Sequence, residues 1–274
     1  YMINCVGSTN PRSQISNNCI NVGNATATSG GYAWFMSGSG IADIYNNTFI
    51  RETTSSTYCM YIANGGSINL KNNSFYNKAS SYALYVAGGF SVNESDNNHF
   101  YNGGGSLIYY GSAAYSNLAA HQNGTGQDMN SVFSDPSWVD LANCVTCNDT
   151  MGNGGVVLAS ISDDIDGNAR SLSTPDIGAV EYVTPGSFTL GGDDTLCGNS
   201  LVIEAGPAQS IAWGISVNSG ATQSYNTPSV TLNAVGNAPT TFDISVIINT
   251  LYCGNGSDQA TIMLVPGASL DSSL

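Results

Sequence analysis

Asn46-Asn47-Thr48-Phe49, Asn72-Asn73-Ser74-Phe75 and Asn97-Asn98-His99-Phe100 are three copies of one pattern, and Asn17-Asn18-Cys19-Ile20 is a looser copy upstream of them. The four follow one another at 29, 26 and 25 residues. A second motif keeps the same beat: Tyr32-Ala33-Trp34-Phe35-Met36, Tyr58-Cys59-Met60-Tyr61-Ile62, Tyr82-Ala83-Leu84-Tyr85-Val86 and Ser106-Leu107-Ile108-Tyr109-Tyr110, at 26, 24 and 24. Small residues follow three of them, as at Gly38-Ser39-Gly40, Asn64-Gly65-Gly66 and Ala87-Gly88-Gly89, and lead into further short β-type runs over 41–45, 67–70 and 90–92. Short strands and Gly/Asn turns recurring at about 25 residues, without helical periodicity, predict a solenoid. One repeat cannot bury its own apolar face; stacked repeats can.

The composition suits such a stack. Parallel strands of successive coils lie about 4.8 Å apart, so equivalent side chains sit on top of one another. Stacked like charges repel, whereas stacked Asn and aromatic side chains form ladders. Charged residues make up 9% of the chain, against a usual value of about 25%. Phe49, Phe75 and Phe100 are expected to form an inward stack, and the paired asparagines a turn ladder. If Trp34, Met60, Leu84 and Ile108 face the core, strand alternation turns Phe35, Tyr61, Tyr85 and Tyr109 outward. These four are the candidate ligand-binding residues, because tyrosine combines apolar area with a polar tip that suits sugar rings and partner surfaces. The competing expectation is that a loop or neighbouring domain covers them, or that they only stabilise the stack.

The repeats resemble right-handed parallel β-helix proteins, an architecture shared by pectate-lyase-like enzymes, tailspikes and many bacterial surface proteins. A second resemblance lies further on. Asp164-x-Asp166-Gly167-Asn168-x-Arg170, followed by Asp176-Ile177-Gly178-Ala179-x-Glu181-Tyr182 and preceded by Asp135-Pro136, is similar to the closing motif of secreted β-helix surface proteins of Bacteroidota. That resemblance implies a segment that ends the helix and covers the open edge of the last coil, with Arg170 tethered among Asp164, Asp166, Asp176 and Glu181. It also implies export by the type IX system. The chain departs from the pattern by inserting Cys144-Val145-Thr146-Cys147. Residues 1–182 are thus assigned to the β-helix with its capping segment. Residues 187–266, with alternating β-type runs joined by Gly/Asn/Pro turns, are expected to form a small β-sandwich with Trp213 at its centre. This part resembles Ig-like modules of the same surface proteins, and 267–274 reads as a linker to a further module. The expected fold class is all-β throughout.

Charge and composition exclude several functions. The net charge is −14, with five basic residues, so nucleic acid is not an expected partner, and polyanionic sugars would be repelled. No stretch of about 18 apolar residues predicts a membrane span. The chain starts mid-pattern at Tyr1-Met2-Ile3, which reads as a piece of a longer protein. Abundant Asn, Ser, Thr, Gly and Tyr, and seven cysteines, point to a secreted or cell-surface location.

Catalysis is not expected. β-Helix lyases use a Lys or Arg base beside Asp-bound calcium, and the basic residues of the coils have no Asp cluster next to them. Hydrolases need converging carboxylates, whereas Asp43, Glu52, Glu94 and Asp96 do not recur at one coil position. His99 and His121 have no matched nucleophile at an informative spacing. No cofactor is implied, calcium being the one candidate: Asp164, Asp166 and Asn168 resemble half of a calcium loop. However, Pro175 stands where the bidentate acid belongs, and a capping turn held by Arg170 competes. Cys197 and Cys253 are expected to pair at one end of the sandwich, and Cys144 with Cys147 in a local loop. Cys5 and Cys19 form a further candidate pair, leaving Cys59, in the Ala33/Ala83 column taken as outward, free. Thr150 and Thr195 fall in the Asp-Thr-aliphatic pattern that Bacteroidota O-glycosylate. Together these features predict a fragment of a large adhesin-like surface protein whose partners are surface glycans, other surface or secretion proteins and further domains of its own chain. The alternatives are a carbohydrate-active enzyme or glycan-binding accessory part, and a phage tailspike or fibre.

Overall fold

Each repeat folds into one coil of three short strands. The computed structural model describes residues 12–23, 31–37, 40–63, 65–148, 150–181, 190–205, 210–249 and 255–266. A leading pair, β1 (Ser13–Ser16) and β2 (Cys19–Val22), precedes three complete coils. These are β3 (Trp34–Ser37), β4 (Ile41–Tyr45) and β5 (Thr48–Arg51); β6 (Met60–Ala63), β7 (Gly66–Lys71) and β8 (Ser74–Asn77); and β9 (Leu84–Ala87), β10 (Phe90–Asp96) and β11 (His99–Asn102). β12 (Ile108–Gly111), β13 (Ala113–Tyr115), α1 (Leu118–Thr125) and β14 (Val132–Phe133) follow. Equivalent strands join into three sheets, β1-β4-β7-β10, β2-β5-β8-β11-β14 and β3-β6-β9-β12-β13, parallel except for β13. The result is a β-solenoid.

The registers are in phase, so the repeat in sequence becomes a column in space. Phe49 faces Phe75, which faces Phe100, and their rings stack at 5.5 and 5.3 Å inside the coils. Asn17, Asn46, Asn72 and Asn97 turn the chain from the first sheet into the second with φ of 52–57°, a left-handed conformation that Asn tolerates better than most residues. The asparagine after each one builds the ladder. Asn47 Oδ1 accepts from the backbone N–H and side-chain amide of Asn18, Asn73 Oδ1 from those of Asn47, and Asn98 Oδ1 from those of Asn73. Buried amides left unpaired would each cost about 1–3 kcal/mol. At the last rung Ser131 Oγ and Asp128 Oδ1 accept from Asn98 in place of a further asparagine. Asp128 in turn faces His121 of α1 at 3.1 Å, and Leu118 of the same helix joins the core of the coils.

The segment after β14 does not cover the open edge of the last coil, as its motif implied. It runs back along the outside of the second sheet. Trp138, Leu141 and Cys144 pack on Ile50, Tyr76 and Tyr101, and Cys144 bonds Cys19 of the leading pair across 125 residues. Residues 150–181 then follow the left-handed asparagines from coil to coil: Asn97 Nδ2 donates to Gly154 O, Asn72 exchanges bonds with Val156, and Asn17 meets Asp163 and Arg170. Side-chain amides one coil apart take carbonyls of this strap because the ladder runs through the asparagine that follows each of them. The consequence is that β5 and β8 are buried on both faces.

The chain divides into two compact units, Tyr1–Tyr182 and Val183–Leu274. The second contains β15 (Asp194–Cys197), β16 (Ser200–Glu204), β17 (Ser210–Val217), β18 (Gln223–Tyr225), β19 (Ser229–Asn233), β20 (Thr240–Asn249) and β21 (Asn255–Val265). A five-stranded sheet, β15-β21-β20-β17-β18, and the pair β16-β19 share one core. Alternation puts Trp213, Ile244, Val246 and Leu232 inside, and the Trp213 indole donates to Thr227 O.

Candidate functional site

The outer face of the third sheet carries the candidate site. Trp34, Met60, Leu84 and Ile108 are buried, so the intervening Phe35, Tyr61, Tyr85 and Tyr109 turn outward, each half-buried and in register. A second column lies beside them: Tyr32, Tyr58 and Tyr82, which precede the strands by two residues. Tyr58, Tyr85 and Tyr109 stack nearly parallel at 4.3 Å between successive centroids. Tyr61 and Tyr82 stand across this stack at 72–84° to Tyr85, and Tyr32 and Phe35 extend the cluster at 5.2 Å from Tyr61. The seven rings form one continuous patch. The second column was present in the quoted motif at the same spacing; alternation counted only within the strand could not place it.

Packing decides what the patch can offer. Rings stacked on one another spend their faces on each other and present edges and hydroxyls, whereas the crossed rings of Tyr61 and Tyr82 keep a face out of the stack. Burial, then the neighbouring phenols, raises Tyr58 and Tyr85 above the ordinary tyrosine value. These hydroxyls therefore stay protonated at neutral pH and can donate. Among the described residues no charged side chain joins the cluster.

The other candidates lie elsewhere. On the first sheet Arg12 pairs with Asp43 at 2.5 Å and Lys71 with Glu94 at 2.6 Å, while Lys78 pairs with Glu52 at 2.9 Å. Asp96 holds Asn130. The carboxylates of the coils are thus distributed and paired rather than convergent.

His99 does have a hydroxyl partner, which linear spacing concealed: Ser74, one coil below, sits 2.9 Å from Nδ1, and the Ser134 carbonyl 2.8 Å from Nε2. A carbonyl only accepts, so Nε2 carries the proton and Nδ1 accepts from Ser74. Burial lowers the His99 pKa from 6.5 to about 4. Both side chains are fully buried beneath the strap, and the pair serves as a rung rather than as a nucleophile.

Asp164, Asp166 and Asn168 form a hydrogen-bonded turn. Asp164 Oδ1 accepts from the N–H groups of Asp166 and Asn168, and Oδ2 from Asn168 Nδ2 and Glu181 N. Asp166 points into solvent. Among the described residues no group of three His, Cys, Asp or Glu side chains could hold a metal ion. Arg170 is buried and meets Glu181 at 3.2 Å, Asn17 Oδ1 at 3.0 Å and Gly178 O at 2.9 Å; desolvation lowers its pKa. It ties the strap to the leading pair and to itself.

The cysteines depart from the expected pairing. Cys144 bonds Cys19, not Cys147, because the strap passes the leading pair at that point; this also takes Cys19 from Cys5, and Cys147 is disulfide-bonded as well. Cys197 is a free, exposed thiol. Register places it opposite Val265, ten residues, or about 33 Å, from the Asn255 end of β21. Cys253, its expected partner, lies outside the described residues, as do Cys5 and the tail from 267. Cys59 is free, but its column faces inward: Ala33, Cys59 and Ala83 are buried, and Cys59 Sγ donates to Phe49 O. Thr150 and Thr195 are both exposed. No helix among the described residues is long and apolar enough to cross a membrane.

No protein-family model, curated protein or solved structure matches the chain.

Proposed function

We propose that the solenoid is the display part of a secreted or cell-surface, adhesin-type protein and that its tyrosine face is the contact surface, with uncharged surface glycans as the partner class. The second unit, with its two sheets on one core, fits the Ig-like spacer expected from its sequence. The Bacteroidota-type closing motif supports export by the type IX route and further modules in the same protein. The observation that carries the reading is a contrast between two outward aromatic columns. Tyr76 is buried against Trp138, and Tyr101 packs on the same cluster, while the seven rings of the third sheet have no described segment over them.

A glycan array probed with the whole chain tests this. The expected result is retention on neutral or N-acetylated glycans, lost in a Tyr61→Ala, Tyr85→Ala double variant that keeps its β-type circular dichroism. Unchanged retention by the folded double variant would exclude the face. Turnover of a bound polysaccharide would favour the enzyme alternative, and a stable homotrimer the tailspike.

A further inference from the structure

The open tyrosine face carries a reactive pair as well as a contact surface. Tyr85 and Tyr109 hold the same place in successive coils, directly paired across β9 and β12, and their rings lie face to face at 4.3 Å and 5°. The two hydroxyls are hydrogen-bond partners, so both rings point the same way and the carbons beside their hydroxyls lie one above the other. Both side chains are half-buried and have no described segment over them.

That arrangement suits oxidative coupling of phenols. A tyrosine that loses an electron and its phenolic proton becomes a phenoxyl radical, whose unpaired electron spreads onto the carbons ortho to the oxygen. The orbital is of π type and its lobes stand perpendicular to the ring, so a bond between two such radicals starts between facing rings. Two other stacks give the comparison. Tyr58 lies on Tyr85 at the same 4.3 Å, but it enters from the outer column, three residues before Tyr61, which is the register partner of Tyr85. Tyr76 and Tyr101 are in register and parallel within 7°, but 5.2 Å apart, and Tyr76 is buried against Trp138.

We propose that Tyr85 and Tyr109 are a site of oxidative modification, a dityrosine cross-link between successive coils, made by a peroxide-driven one-electron oxidant of the haem peroxidase class. Each phenol gives one electron to the oxidant and one proton to water. The two radicals then pair their electrons in a carbon–carbon bond ortho to the hydroxyls, and the hydrogens on those two carbons move through solvent to the ring oxygens, restoring both phenols. The chain loses two hydrogens in all, and one hydrogen peroxide is reduced to two waters. The link ties the third sheet covalently across residues 24 apart in sequence, and it forms whether or not the face binds glycans.

Treatment of the dilute whole chain with hydrogen peroxide and a haem peroxidase tests this. The expected product is a monomer lighter by two hydrogens that shows dityrosine fluorescence. Proteolysis after Glu94 separates Tyr85 from Tyr109, so the link should join the peptides that carry them. Tyr109→Phe keeps the ring and removes the phenol; it should lower the product at least tenfold, whereas Tyr101→Phe should leave it unchanged. Product that persists in Tyr109→Phe, a link mapped to Tyr58 or Tyr76, covalent dimers in place of the internal link, or no dityrosine at all would each overturn the assignment.

Discussion

The second and third sheets are built from the same repeat, wind around the same core and each carry an outward aromatic column, yet one is sealed and the other open. Over the second sheet, Trp138 stands edge-on to Tyr76 at 5.8 Å and the Cys19–Cys144 bond fixes the strap. Over the third, Phe35 and the tyrosines pack on one another with no described segment above them. The difference shows that a solenoid does not set the fate of its faces by repeat sequence alone. The non-repeating chain that follows the coils decides which face becomes core and which stays available.

Cutting the strap loose should have the largest effect. A Cys19→Ser, Cys144→Ser variant loses a cross-link that closes a loop of 125 residues, worth at most about 5 kcal/mol by loop entropy and less where the second disulfide, at Cys147, still restrains the strap. Urea unfolding should show that loss, and limited proteolysis should cut first within 134–148. Protection equal to wild type there would mean that packing alone holds the strap.

Truncating one aromatic on each sheet sharpens the contrast. Tyr76→Ala, under the strap, should cost about 3–4 kcal/mol in urea unfolding. An acid titration probes the sealed face in another way. His99 is held neutral when folded, with its pKa lowered from 6.5 to about 4. Below 6.5 the unfolded chain takes up the proton first, so stability is full above that value and falls as pH drops towards 4. The total is on the order of 3 kcal/mol. The equivalent rungs are Thr48 and Ser74, so His99→Thr should flatten this window while keeping the fold; an unchanged slope would place the acid sensitivity elsewhere. The smallest effect belongs to the open face. Tyr85→Ala should cost no more than about 1.5 kcal/mol, the scale of aromatic pairs on a partly exposed surface, and a loss comparable to that of Tyr76→Ala would show that the face is structural.

What could be read in advance follows from the same contrast. The Phe49–Phe75–Phe100 stack, the asparagine ladder and the outward turn of Tyr61 and Tyr85 were legible because each depends on spacing that the sequence repeats. The strap was not. Its contacts join residues 84 apart, as Asn72 and Val156, or 153 apart, as Asn17 and Arg170, and no periodicity marks them. Cysteine connectivity was hidden for a similar reason, since spacing alone does not choose between pairings. Ser74 reached His99 through the coil rise, which a linear search for a nucleophile passes over. Arg170 was recognisable as a tether from its acidic neighbours, but its bond to Asn17 exists only once the strap lies against the asparagine turns.

The bond between Cys19 and Cys144 has a mechanical meaning. A chain pulled from both ends transmits tension from residue 19 straight to residue 144 through the sulfurs, and the coils between them are shunted out of the load path. Force would stretch what lies before and after, while the tyrosine face, enclosed within that loop, keeps its shape under shear.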